Sequence, residues 1–405
     1  MSSYISSKKM YIFLAVVALE SLAANFAHPI TPTLIKNLNL PDYMFGVAFA
    51  GMSFTNFLFS PFWAKMVNRI SSRLTLLICC CGYGVGQLMF MLSTQQGTIL
   101  IARLVSGFFV GGVFVSFLTY VINKGDPQTR GKFLALSATC TTVFGAFGYL
   151  IGGFVGVVSI PITFMLQAGT LILSGILFYI LLEDDKKHIE ERFSFKRDAN
   201  PFKAFIDSKQ FMTKLFAVLF CIVFLTSLAS TTYDQCFNYY IKDAFDFNSS
   251  YNGTLKAVVG FISLLANTTI CLWIMRNTDV RKSLVYIFFG ASTCLFLIFL
   301  LGDIAPFILV NIIFFAFNAM YIPLVQDLCA RNSDDSNSSM VMGFYNALKS
   351  LGMVCGGLFA GFIYGVGPKL SFLFASIFFM VALILMVFYR NRQIAKERIE
   401  SSNLS

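Results

Sequence analysis

Charge is scarce in this chain. Only 12% of its 405 residues are Asp, Glu, Lys or Arg, about half the share of a soluble domain. Histidine is scarcer. His28 and His188 are the two present, and their separation leaves no histidine-based catalytic constellation. No glycine loop ends in Lys-Ser/Thr, which excludes a Walker-type ATP-driven pump. The ten cysteines follow no disulfide or metal spacing. Most lie within apolar runs, and Cys79-Cys80-Cys81 is contiguous, so they read as small apolar filler. The sequence therefore asks for no cofactor and no metal, and an enzyme is not expected.

What fills the chain instead is apolar sequence. Hydrophobic residues make up 57% of it, and the mean hydropathy is +0.74. A helix needs about 20 apolar residues to cross the hydrocarbon core. Candidate spans are Tyr11–Leu34, Phe45–Val67, Leu74–Leu92, Thr98–Ile122, Phe133–Val158 and Ile162–Leu182. After a polar stretch come Leu215–Ile241, Asn252–Met275, Leu284–Leu301, Pro306–Leu328, Met340–Val366 and Leu370–Tyr389. The expected fold class is an all-α membrane protein of twelve transmembrane helices. Lys8 and Lys9 precede the first run in the manner of a signal peptide. The run is too long for an h-region, contains Glu20, and has no polar mature domain behind it. It reads as a retained first span.

The net charge of +10 does not point to nucleic acid, because its distribution is one-sided. Lys65, Arg69 and Arg73, Arg130 and Lys132, Arg276, Arg281 and Lys282, Arg390 and Arg392 all fall on one face of the alternating connections. Lys36, Lys242 and Lys369 fall on the other. This is the positive-inside pattern. It places both termini in the cytoplasm of a multi-pass protein of the cell membrane, with lipid and a small molecule as its expected partners and a monomer as its expected state.

Glu183-Asp184-Asp185-Lys186-Lys187 opens a connection too polar to cross a membrane. It divides the chain into 1–182, a first six-helix bundle, a cytoplasmic linker 183–214, a second bundle 215–390, and a cytoplasmic tail 391–405. Within the linker, Pro201–Lys209 suits either a short interfacial helix or a solvated connection. The halves echo one another. Gly148, Gly152 and Gly153 of span five match Gly352, Gly356 and Gly357 of span eleven. Asn68-Arg69-Ile70-Ser71-Ser72-Arg73 follows span two as Asn277-Thr278-Asp279-Val280-Arg281-Lys282 follows span eight. Duplication of a six-span unit explains both. Small residues at this spacing also let helices pack closely.

With these motifs the chain resembles the major facilitator superfamily over nearly its whole length. The stretch Ala64–Arg73 is similar to the family's G-x-x-x-D-R-x-G-R-R/K loop, keeping Arg69 and Arg73 and placing Asn68 at the acidic position. Arg103-Leu104-Val105-Ser106-Gly107 is similar to its membrane-embedded R-x-x-x-G, and Asp126–Gly131 to its D-x-x-x-R-G connection. Span five looks like the G-P-x-x-G-G motif of drug exporters, with Tyr149 in place of the proline. Pro29-Ile30-Thr31-Pro32 and Gly46 also resemble the twelve-span drug:proton antiporter group. The resemblance implies two pseudo-symmetric six-helix bundles around a central cavity. It also implies gating or packing roles for Asn68, Arg69, Arg73 and the six glycines.

A charge near the bilayer centre costs roughly 2.5–3.5 kcal/mol on insertion scales, so charges stranded in the spans need a partner or a wet cavity. Glu20 lies ~14 Å into the first run at 1.5 Å per residue. Burial disfavours a carboxylate's charge and a nearby arginine favours it. A Glu between those influences can take up a proton on one side and release it on the other; the plainer alternative is a fixed Glu20–Arg103 pair. Asp234 is the second proton-coupling candidate, or else a solvated group near the outer surface. Lys349 lies at a depth like that of Glu20, with Tyr345 and Asn346 on its face. It would bind an anionic substrate or pair with an acid. Arg103, Asn25, Tyr233, Tyr345 and Asn346 complete the candidate substrate-binding set. Lys256 and Asp327 lie nearer span ends, where they can snorkel.

The leading functional expectation is export of a small, amphipathic compound in exchange for protons by alternating access. Lys349 and the intramembrane Asn residues favour a rival, uptake or facilitated transport of a sugar or organic anion. A lipid flippase or non-transporting sensor is the third reading. The topology has a direct test. A single cysteine at position 196, in a protein otherwise free of cysteine, is expected to resist an impermeant external reagent, and one at position 249 to react. Labelling at 196 from outside would refute the orientation.

Overall fold

The structure is a computed structural model that describes residues 5–126, 128–185, 200–332 and 338–402. The central stretch 186–199, with His188 and Lys196, lies outside them, and so does Pro127. Every regular element among the described residues is helical: α1 (Ser7–Ala24), α2 (Thr31–Asn37), α3 (Met44–Ile70), α4 (Ser72–Leu92), α5 (Gln96–Lys124), α6 (Arg130–Val158) and α7 (Ile160–Leu181). Then follow the short α8 (Lys203–Asp207), α9 (Lys214–Phe245), α10 (Ser249–Asn277), α11 (Val280–Leu300), α12 (Ile304–Arg331), α13 (Ser338–Val366) and α14 (Leu370–Ser402).

Eleven of these helices, α3–α7 and α9–α14, are long and apolar enough to cross a membrane. The twelfth crossing is α1 with α2, and here the expected continuous span is interrupted. The helix stops at Ala24, and six residues of turn precede Thr31. Pro29 has no N–H to give the carbonyl one turn back, and the bonds tighten from Asn25 onward (Asn25 N to Leu22 O, 3.3 Å; Phe26 N to Ala23 O, 3.1 Å). Helix α10 carries a second irregularity, a π-turn over Ala266–Cys271.

The duplication is visible as one contact made twice. A Cβ on Gly148 would stand 2.1 Å from the Leu22 carbonyl oxygen, and one on Gly152 2.1 Å from that of Phe26. In the second half, a Cβ on Gly352 would stand 2.8 Å from Phe224 O, and one on Gly356 2.6 Å from Leu228 O. Span five thus lies on span one as span eleven lies on span seven. Thr232 Oγ1 donates to Gly356 O at 3.2 Å across the second contact. Gly153 and Gly357 are also buried.

The chain forms two compact units. One comprises Met1–Pro201 with Asn238–Phe261, the other Phe202–Phe237 with Ile262–Ser405. In the first, Phe13, Trp63, Phe117, Tyr120 and Phe178 centre an aromatic core. The α9–α10 turn joins this unit through Ser249 Oγ, which donates to Gly153 O at 2.8 Å. Tyr239 Oη donates to Asp42, Lys36 pairs with Asp243, and Tyr239 stacks on Phe45 at 4.6 Å. In the second unit Tyr233, Phe237, Phe314, Phe315 and Phe372 pack ring against ring. Phe154, Phe261, Trp273 and Ile384 stand more than half exposed, as lipid-facing side chains do.

At the opposite end of the first unit, the Glu183–Asp185 segment clasps the helix termini. Asp185 accepts from Ser72 N and Ser72 Oγ, both at 2.6 Å, and from Asn123 Nδ2 at 3.0 Å. A carboxylate at the first turn of α4 meets the helix's free N–H groups and positive dipole end. Arg73 pairs with Asp184 at 2.7 Å, and the Lys9 ammonium beside Glu183 holds its carboxyl below the usual range. Asn68 donates to Ala64 O of its own helix at 3.1 Å.

Between α3 and α4, Ser71 sits at φ 93°, ψ 152°, a region that glycine occupies and L side chains avoid. Its hydroxyl accepts from Leu74 N at a long 3.5 Å. Ser71→Gly is therefore expected to stabilise the protein by about 1 kcal/mol, read as a rise in the thermal unfolding midpoint in detergent. A fall would show that the hydroxyl cap outweighs the strain.

Candidate functional site

Glu20 lies one turn before the break in span one. It is 4% exposed, and its carboxylate receives one hydrogen bond, from Ser21 Oγ at 3.4 Å. Arg103, from α5, is also 4% exposed. The fixed Glu20–Arg103 pair is not formed: among the described residues neither group makes an ion pair. Arg103 instead lies over the Phe90 ring at 4.1 Å. It reaches Thr31 Oγ1 at 3.4 Å and Met52 Sδ at 3.7 Å, and its Nε is buried without an acceptor. Thr31 opens α2 beyond the break, so Arg103 serves that level of the bundle while Glu20 stays below it. Tyr83 is within electrostatic reach of both.

The break is held from two sides. Ala24 O, left without a helical donor, accepts from Tyr83 Oη on α4 and Gln167 Nε2 on α7, both at 3.0 Å. In lipid an unsatisfied carbonyl costs several kcal/mol, so these two side chains are what allow the helix to end here. Asn25 donates to Ser21 O at 2.8 Å and faces the glycines of α6. Gly145 would bring a Cβ to 3.1 Å from its Nδ2. Within the break, His28 stacks on Tyr149 at 5.4 Å and 13°, with Lys256 5.7 Å from the same ring. Tyr83 and Gln167 were not singled out by sequence, and neither motif nor charge marks them. Only their meeting at Ala24 does.

The second unit holds the other candidates. Tyr233 is fully buried, donates to Asn311 Oδ1 at 2.5 Å, and has Phe314 at 4.3 Å. Asp234, its neighbour, is half-buried. Lys349 and Tyr345, one turn apart on α13, line a small cavity of about 20 Å³ with Val223, Thr226, Ser227, Tyr321, Ile322 and Val325. Asn346 is exposed and is not part of that lining. Tyr321 Oη donates to Thr226 O at 3.3 Å, and Ser227 Oγ to Lys349 O at 2.7 Å.

Twelve crossings arranged as two related six-helix bundles, with isolated charges inside them, define a multi-pass membrane transporter. The profile of the Major Facilitator Superfamily matches residues 13–334 and 307–403, and the chain belongs to that family. It is 21% identical over 385 residues to Multidrug resistance protein 1 of Bacillus subtilis (strain 168), covering 94% of this chain and 95% of that protein. It is 21% identical over 376 residues to the class C tetracycline resistance protein of Escherichia coli, covering 90% and 91%. In fold it is similar to a bacterial homologue of the human lysosomal transporter Spinster in an inward-facing, unoccupied conformation. That likeness has a TM-score of 0.74 at 13% identity and covers 95% of this chain and 96% of the other. The protein is accordingly a transporter of small molecules and not an enzyme.

The doubly held carbonyl makes a prediction. Tyr83→Phe leaves Gln167 on Ala24 O and is expected to cost about 0.5–1.5 kcal/mol. Tyr83→Phe with Gln167→Leu orphans the carbonyl, so the double loss should exceed the sum of the single ones. Additive shifts in the thermal midpoint would show that the break does not depend on this pair.

Proposed function

We propose that the protein exports a small amphipathic compound in exchange for protons, with Glu20 as the proton carrier. The observation that carries this reading is a buried carboxylate with no ion-pair partner among the described residues. An anion enclosed there costs several kcal/mol, so its charge depends on which side's water reaches it. A group whose protonation is tied to access is what couples a proton to alternating conformations. The break in the same span, six residues of turn between Ala24 and Thr31, begins one turn after Glu20. Asp234 is the second candidate carrier.

The names of the similar proteins, multidrug and tetracycline resistance proteins, support export and a drug-like substrate. Rocking of the halves requires some contacts to open. The contacts of Asp42, Lys36 and Gly153 with residues 239, 243 and 249 are the ones we assign to the outer gate. The domain division at 183–214, a plasma-membrane location, cytoplasmic termini, contact with surrounding lipid, and a monomeric state belong to the same reading. Arg69, Arg73 and Asn68 would then act at the cytoplasmic gate, and Asn25 and Arg103 at the edge of the transport path.

Purified protein in liposomes with an imposed pH gradient, challenged with a panel of drugs and metabolites, tests the proposal. Substrate-dependent proton flux opposite in sign to substrate movement is expected. Glu20→Gln should abolish gradient-driven accumulation while gradient-free exchange of the same substrate continues. A Glu20→Gln protein that still concentrates substrate would remove Glu20 as carrier and leave Asp234. Proton and substrate moving together would overturn export.

A further inference from the structure

We infer that the cavity on α13 is a subsite for the anionic end of an amphipathic organic molecule, with the Lys349 ammonium and the Tyr345 hydroxyl as its donors. The inference rests on reading the protein as a carrier of amphipathic compounds, and it specifies the charge that compound bears.

Four observations converge. First, Lys349 lies near mid-length of a membrane-crossing helix, too far from either end to reach headgroups. Second, its ammonium makes no ion pair and no hydrogen bond among the described residues, whereas two arginines of this unit are paired. Arg331 pairs with Asp327 at 2.8 Å, and Arg281 with Asp279 at 3.0 Å and Glu397 at 2.6 Å. Third, Lys349 lines a cavity, and so does Tyr345, whose hydroxyl also has no partner among the described residues. Two residues that carry donors share one helix face and line one space, and no residue of the lining is acidic. Fourth, the duplicated scaffold does not require the charge. The glycine match places Gly145 at the equivalent position of α6, where the neighbour is the neutral Asn25 amide.

The walls define the rest of the ligand. Val223, Ile322 and Val325 are the apolar residues of the lining, and Thr226, Ser227 and Tyr321 its neutral polar ones. At about 20 Å³ it is far smaller than a drug-sized pocket, which spans about 300–1,000 Å³, and has room for about one water-sized group. It therefore takes only an oxygen of a carboxylate, sulfonate or phosphate, and the apolar part of the ligand lies outside it. A half-buried ammonium with a phenol hydroxyl on the same helix face binds such a group more strongly than a neutral one. A cationic ligand would be repelled.

The test uses two probes that differ by one charged group, 8-anilinonaphthalene-1-sulfonate and the uncharged N-phenyl-1-naphthylamine. Binding to the full chain in lipid nanodiscs is measured by equilibrium dialysis, with empty discs subtracted. The wild-type protein is expected to favour the sulfonate by about tenfold or more, each tenfold being 1.4 kcal/mol. Lys349→Gln should lose about tenfold for the sulfonate and under about twofold for the amine, and Lys349→Arg should restore most of the preference. Tyr345→Phe keeps the charge and the ring and should weaken the sulfonate alone by about threefold, which keeps the test informative if Lys349→Gln folds poorly. Equal wild-type affinity for the two probes would overturn the assignment. So would a Lys349→Gln or Tyr345→Phe protein with an unchanged preference. Inorganic phosphate in large excess is expected to displace little sulfonate; full displacement would mean a free inorganic ion is the ligand and would overturn the amphipathic assignment. No gradient is used, so failure of proton coupling leaves this result untouched, and failure here leaves export untouched.

Discussion

Gly148 and Gly152 lie so near the Leu22 and Phe26 carbonyls that any side chain would collide with the backbone of span one. Lipid offers helices no hydrophobic reason to associate, so such close backbone approach supplies the packing that holds them. Much else follows from it. The contact fixes α1 against α6 at the level where α1 ends. It brings Asn25 onto Gly145, and it leaves Glu20 one turn below, enclosed. The same contact made by Gly352 and Gly356 on Phe224 and Leu228 sets α13 against α9 and aims Ser227 at the Lys349 carbonyl. One packing solution, used twice, thus positions the acid of the first half and the lysine of the second.

The bundle interior answers its charges unequally. Arg103 finds an aromatic face and a hydroxyl, which soften the cost of burying a guanidinium without a counter-ion. Glu20 has a single long hydrogen bond. Lys349 has a cavity. Structural ion pairs at the ends of the helices are, by contrast, well made, with Asp185 serving three donors and Arg281 bridging two acids. Charges that secure the fold are paired at the helix ends. The poorly answered ones lie within the spans, where a transporter has use for groups that are not already satisfied.

Several residues were legible for physical reasons. Glu20, Arg103 and Lys349 stand out because a charge in an apolar run is costly and therefore rare. Their relationships were not legible. A Glu and an Arg in neighbouring spans suggest a pair, yet Arg103 turns to Phe90 and Thr31 because the interruption of span one places Thr31 within its reach. Tyr233 and Asn346 stand out in the sequence by their polarity, which does not tell their surroundings. The helix rotation puts the first into an aromatic cluster and leaves the second exposed. Tyr83 and Gln167 were invisible because their importance comes from a carbonyl elsewhere in the chain. Asp185 read as one of several linker charges, although it caps α4 from more than a hundred residues away.

The sequence by itself determined the class. Apolar runs of membrane length, basic residues on alternate connections and a repeated glycine spacing are local or periodic properties, and each is read without knowing what touches what. It also located the improbable charges. The tertiary structure alone decided which charges have partners, because a partner is set by helix rotation and depth, to which side-chain composition is indifferent. It decided that span one ends early, since a broken helix in lipid survives only where donors from other helices reach the freed carbonyl. And it decided that Lys349 opens into space beside Tyr345, a vacancy that no reading of single residues contains.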